Sequence, residues 1–313
     1  MRAALTPILG LVAATACGSP SSSSGPTPDA GVAALAYTPC AADARVGSFT
    51  VRLAEGFSAV EGRVFDGVVP ANVRAVTATE GSCRILEGRN LFCDPACGAS
   101  ETCGEDGTCI AYPRAQSVGA VTVGGLKAEL TMEPSSVAYY SNGATSLPHP
   151  AFDEGAAITL SAAGDAVEAF TLEGVGITAL AGAPTELELT GGQDLHVTWT
   201  PGGVDAARVR LVLDLAHHGG IAASMECDAL PDDGAFDVPA ALVDALLDIG
   251  VAGFPTITMS RRTVDSTTLS VGCVELGVVS EVVGNLTVPG VVSCASDDDC
   301  SAGETCRDDL TCG

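Results

Sequence analysis

The chain of 313 residues carries 39 Asp and Glu against 14 Lys and Arg, a formal charge of −25, with 47% apolar residues and 13 cysteines. So large a negative excess, with Lys127 as the single lysine, leaves no basic stripe that could displace phosphate counterions, and it argues against a nucleic-acid partner. An apolar fraction near one half is that of a packed globular chain rather than a disordered one. Read from its start, the chain looks exported. Met1–Arg2 form a small positive n-region, and Ala3 to Ala16 an apolar stretch ending in small residues, too short to span a bilayer as a helix. Residues 1–16 are therefore expected to be a signal peptide.

The ending Ala14-Thr15-Ala16-Cys17 resembles the lipobox of bacterial lipoproteins, with Ala14 standing where leucine is usual. That resemblance implies cleavage before Cys17 and attachment of lipid, palmitate included, at Cys17. The Ser/Pro/Gly-rich stretch that follows offers nothing to bury, so residues 17–39 read as a tether. Gly18, rather than Asp, follows the cysteine, which in the lipoproteins it resembles implies transfer to the outer membrane. No later run reaches 18 uninterrupted apolar residues, so the membrane partner is expected to be reached by the lipid anchor alone.

Setting Cys17 apart leaves an even number of cysteines in a chain addressed to an oxidising compartment, so six disulfides are expected. Cys93, Cys97, Cys103 and Cys109 form one tight cluster, Cys294, Cys300, Cys306 and Cys312 another, and Cys40, Cys83, Cys227 and Cys273 stand apart. The clusters repeat each other: Cys97-Gly-Ala-Ser-Glu-Thr-Cys103-Gly-Glu-Asp-Gly-Thr-Cys109 aligns with Cys300-Ser-Ala-Gly-Glu-Thr-Cys306-Arg-Asp-Asp-Leu-Thr-Cys312. They resemble the cysteine-rich knots of Dickkopf-type and EGF-like modules and of secreted myxobacterial lipoproteins. Three pairings can be drawn within each four, of which first-to-third and second-to-fourth is the expected one. Zinc is the rival, but the gaps are not Cys-x2-Cys and no histidine lies in either cluster, so no metal or other cofactor is expected. Asp297-Asp298-Asp299 lacks the alternating ligand plan of a calcium loop.

Short β-type runs bounded by turn residues fill the rest. They fall at Ser48–Leu53, Ser117–Val123, Lys127–Met132, Ala157–Ser161, Glu168–Leu172, Thr185–Leu189, Leu195–Thr200, Ala207–Leu213, Thr256–Ser260, Thr267–Val271 and Val274–Val279. The fold class is all-β, with Ig-like or jelly-roll-like β-sandwich domains. One short helix is expected from about Pro239 to Asp248, ended by Gly250. The domains are expected at 40–112, including the knot at 93–109, and at 117–290, followed by the carboxy-terminal knot at 291–313. Cys227 would then pair with Cys273, and Cys40 with Cys83.

Chemistry-bearing groups are few. Neither Gly-x-Ser-x-Gly nor His-Glu-x-x-His occurs. His217-His218 precede Gly219-Gly220 in a loop, Asp194 and His196 share a strand face, and Trp199 reads as core. Gly174-Val-Gly176-Ile-Thr-Ala179 matches the start of a dinucleotide fingerprint, but no long helix can follow it, so it reads as a turn. Asp233-Gly234 and Asn142-Gly143 are turn signals, and Arg261-Arg262 should answer neighbouring carboxylates. The expected function is a lipid-anchored envelope module that binds or adheres to a protein or glycan, or serves structurally, without a catalytic site. The alternative is a metal-dependent envelope hydrolase using His217 and His218.

Overall fold

The computed structural model describes residues 35–313 apart from Asn90, Ala144 and 219–222. The expected signal peptide, Cys17 and most of the expected tether lie outside the described residues. Strands β1 (Arg45–Leu53) and β2 (Ser58–Phe65) form one hairpin, and β3 (Ala75–Glu80) and β4 (Cys83–Glu87) another. Strands β5 (Glu101–Cys103) and β6 (Cys109–Ala111) pair inside the first knot, and β7 is the two-residue Ala115–Gln116. Then come β8 (Val121–Gly124), β9 (Leu130–Met132), β10 (Tyr139–Ser141), β11 (Ala157–Ala162), β12 (Phe170–Val175) and β13 (Glu186–Glu188). Strands β14 (Leu195–Thr198), β15 (Arg208–Asp214), β16 (Ala223–Pro231) and β17 (Ala235–Val238) precede helix α1 (Ala240–Ile249). The long hairpin of β18 (Thr256–Leu269) and β19 (Gly272–Thr287) completes the series.

The all-β class holds. One large mixed sheet runs in the order β10-β2-β1-β19-β18-β15-β16-β4-β3, and a four-stranded sheet in the order β12-β11-β8-β9. Period-two alternation gives the large sheet one apolar face, on which two cores lie side by side. Over β1, β2 and the start of β19, Phe49, Val60, Leu276 and Val278 meet Val123, Leu160 and Leu172 of the small sheet. Over β15, β16 and β18, Leu211, Leu213, Met225 and Met259 meet Trp199 and the α1 residues Leu242, Val243 and Leu246. Helix α1 starts after Pro239, whose missing N–H costs nothing there, and stops at Gly250, whose φ of 111° a side chain would resist.

The expected division between residues 112 and 117 does not separate two sheets. β1 lies parallel to β19, with Phe49 opposite Leu276, so strands from both sides of that boundary share one ladder. The cause is the polar β18, where Arg261, Arg262 and Asp265 disguise a 14-residue strand that the sequence patterning broke in two.

The same topology corrects the pairing of the isolated cysteines. Cys40 is bonded to Cys273, and Cys83 to Cys227. Cys83 and Cys227 are register partners across β4 and β16, while Cys273 begins the strand beside β1 and its N–H donates to Ala44. Pairing by proximity in sequence failed because the strands that meet are far apart in the chain. Inside each knot the bonds run first to third and second to fourth: Cys93–Cys103, Cys97–Cys109, Cys294–Cys306 and Cys300–Cys312. Six disulfides are the mark of a protein of an oxidising, extracytosolic compartment.

Candidate functional site: an arginine-lined cleft

The face of the large sheet opposite the two cores is polar, and part of it forms the floor of a cleft of about 780 Å³. Alternation puts Arg210, Val212 and Asp214 of β15 on this floor, because Val209, Leu211 and Leu213 point into the core. Ser224, Glu226 and Asp228 of β16, Arg84 and Leu86 of β4, and Arg262 of β18 arrive by the same rule. Residues 39–42, Asn72, Arg74 and Val76 make the walls.

Five of the chain's 14 basic residues, Arg45, Arg74, Arg84, Arg210 and Arg262, line this one cleft. Four carboxylates face them: Asp214, Glu226, Asp228 and Glu275. The local balance is thus one positive charge in excess, on a chain that carries −25 overall.

Three of the acids are fully engaged. Arg210 Nε donates to Glu226 Oε1 at 2.6 Å, and Arg84 Nη2 lies 3.5 Å from Glu226 Oε2. Burial alone would raise the Glu226 carboxyl, yet the hydrogen bond and charge of Arg210, with Arg84, hold it below its ordinary value. Arg262 Nη2 donates to Asp228 Oδ2 at 2.7 Å, while Tyr37 Oη and the Ala229 N–H donate to Oδ1. Burial works against that carboxylate too, and Arg262 with the two donors outweighs it, so Asp228 titrates low. Burial pushes the Tyr37 phenol up against the pull of Arg262, whose guanidinium sits 5.5 Å from the ring centre, and Asp228 adds to the rise. Glu275 accepts from Arg45 Nη1 at 2.9 Å and from the Cys40 N–H at 3.0 Å.

Arg74 differs from the other four. Its Nη1 donates to the neutral Ser224 Oγ at 2.6 Å, and it belongs to no ion pair among the described residues.

Of the residues singled out by sequence, Arg262 and the disulfide cysteines Cys40 and Cys83 line the cleft, and the rest lie elsewhere. Arg262 reaches the cleft, whereas Arg261 is 1% exposed on the core face, paired with Asp232 and donating to the Thr178, Ala179 and Thr200 carbonyls. The expected turn is instead the end of a strand: Gly174 and Val175 close β12, and the irregular stretch after it is held by Arg261 at the Thr178 and Ala179 carbonyls, with no helix following. Trp199, whose Nε1 donates to Asp232 at 2.7 Å, is core. Asp194 and His196 do not work together. Asp194 caps the Ala240 N–H at the start of α1, and His196 meets its register partner Asp237 at 2.5 Å.

The His217 and His218 ring centres lie 3.9 Å apart with the planes tilted by 55°, and His217 Nδ1 is 3.9 Å from Asp214. Among the described residues, three or more metal-type ligands converge only at Cys93, Cys97 and Cys109 and at Cys294, Cys300 and Cys312, all of them bonded in disulfides. Asp297 and Asp299 accept backbone N–H groups of Cys306, Ala295 and Ser296.

Compared with protein-family models, curated proteins and solved structures, the chain matches none. Arg45, Arg74, Arg84, Arg210 and Glu226 escaped the sequence reading. The signal was present in Arg208-Val-Arg210 and in Ser224-Met-Glu226-Cys-Asp228, which alternate polar and apolar residues, but β16 itself was not recognised as a strand.

Proposed function

We propose that this is an exported binding protein of the cell envelope, held at the outer membrane by lipid on Cys17 and presenting the arginine-lined cleft to a protein or glycan partner. The cleft is the observation that carries this reading. At about 780 Å³ it is of the size of ligand sites, and it sits on a sheet pinned by Cys40–Cys273 and Cys83–Cys227, so its walls are formed before a ligand arrives. Its charged groups suit holding rather than proton transfer, since arginine keeps its proton at any working pH and Glu226 and Asp228 titrate low.

The lipobox-like Ala14–Cys17 supports the anchor, and no helix among the described residues is long and apolar enough to cross a membrane. A photo-crosslinking residue placed at Val76, which is 54% exposed on the cleft wall, should capture a specific partner in intact envelopes. The same residue at Val137, 63% exposed beside β10 at the opposite edge of the sheet, should not. Equal adducts at both positions, or none at Val76, would overturn the reading. Cys17→Ser should move the protein from the membrane to the soluble fraction.

A further inference from the structure

We propose that the cleft binds a single carboxylate group through Arg74 and Arg84, the group being carried on a partly apolar body. This deepens the binding reading above and rests on it. Glu226 needs only one of its two arginines: Arg210 holds it at 2.6 Å, whereas Arg84 stands off at 3.5 Å with its side chain 43% exposed. Arg84 can turn to a ligand without leaving a buried charge unpaired. Arg74 spends one donor on the neutral Ser224 hydroxyl and keeps its charge uncompensated by any carboxylate among the described residues. A guanidinium offers five donors, so both arginines retain capacity for a planar, two-oxygen acceptor.

The spacing fits one such acceptor. Ser224, which Arg74 engages, and Glu226, which Arg84 approaches, are two residues apart on one face of β16, a rise of about 7 Å along the strand. Two charge-assisted hydrogen bonds of about 2.8 Å on either side of a carboxylate span roughly that distance. Leu86 and Val212, the register partners of Ser224 and Glu226, supply apolar floor for the ligand's body. The charge count selects a monoanion. Five guanidiniums against four carboxylates leave one positive charge to neutralise. A dianion would leave the site negative within an already acidic protein.

The test follows the side-chain Nε–H signals of the protein labelled with nitrogen-15 arginine during titration with hexanoate, with hexanamide, inorganic phosphate and sodium chloride as comparisons. The Arg74 and Arg84 signals should shift to saturation with hexanoate and stay unmoved by hexanamide or matched chloride. Arg74→Gln and Arg84→Gln, each checked for an unchanged melting temperature, should weaken hexanoate by about ten-fold. Shifts that chloride reproduces would overturn the proposal, as would phosphate binding more tightly than hexanoate. If crosslinks at Val76 persist in a wild-type protein that ignores hexanoate, the carboxylate assignment falls and the binding reading stands. If both vanish, both fall.

Discussion

Gly107 and Leu310 hold the same left-handed turn in the two cysteine knots, at φ of 77° and 61°. Around them the hydrogen bonds repeat. Asp106 Oδ1 accepts from the Thr108 N–H and hydroxyl as Asp309 Oδ1 does from Thr311, and the Gly104–Thr108 backbone pair recurs as Arg307–Thr311. The backbone therefore demands this conformation whatever side chain it carries. A Cβ at Gly107 would meet nothing within 4 Å, so Gly107→Ala should cost only backbone strain, about 1–2 kcal/mol. Hydrogen exchange at the Gly104 and Thr108 amides should quicken accordingly. Unchanged exchange would show that the turn is not fixed by its hydrogen bonds.

Removing an acid should hurt most where its arginine cannot reach water. Asp232 is 5% exposed against Arg261 at 1%, and Asp232→Ala should cost about 3–5 kcal/mol by stranding a buried guanidinium. Glu226→Ala removes an equally buried acid, but Arg84 and Arg210 are 43% and 35% exposed and can hydrate, so its cost should stay near 1 kcal/mol. Urea unfolding of the two variants measures the contrast, and equal losses would contradict it.

Glu226 and Asp228 both titrate below their ordinary values of 4.5 and 3.8 in the folded protein. Their contribution to stability is complete above those unfolded values and disappears as pH falls through the lower folded ones. The melting temperature should therefore hold above about pH 5 and drop as acid protonates the cleft. Glu226→Gln should flatten that acid limb; a profile identical to wild type would mean that other carboxylates control it.

Opening the Cys40–Cys273 bond by the double change to serine should cost about 2–4 kcal/mol and loosen the wall of the cleft. Saturation of the hexanoate signal should then need more ligand. Thiol titration of the denatured, unreduced protein should find none of the twelve paired cysteines free.

What the sequence made legible follows from which signals are local. The knots, α1 and strands such as β11 and β15 announce themselves through spacing, alternation and turn residues within a few positions. β2 was missed because Gly62 interrupts its pattern, although the glycine is required there: a Cβ would run into the Phe49 ring. β16 escapes a search for apolar runs because its face away from the core carries Ser224, Glu226 and Asp228, held there by Arg74 just before β3 and by the arginines of β4, β15 and β18. The cleft is a property of strand neighbours distant in the chain, so its residues looked like scattered surface charges until the ladder brought them together.

The pairing of β1 with β19 has a kinetic meaning. The earliest strand of the large sheet finds its parallel neighbour only after more than two hundred further residues have been made. Contacts so distant along the chain slow acquisition of the native state, because closing the loop must precede any reward for it. Until then Phe49 and Val51 lack the neighbours Leu276 and Val278 that flank them in the finished sheet. The slowest folding step should therefore be the late arrival of the β18–β19 hairpin at the centre of the sheet.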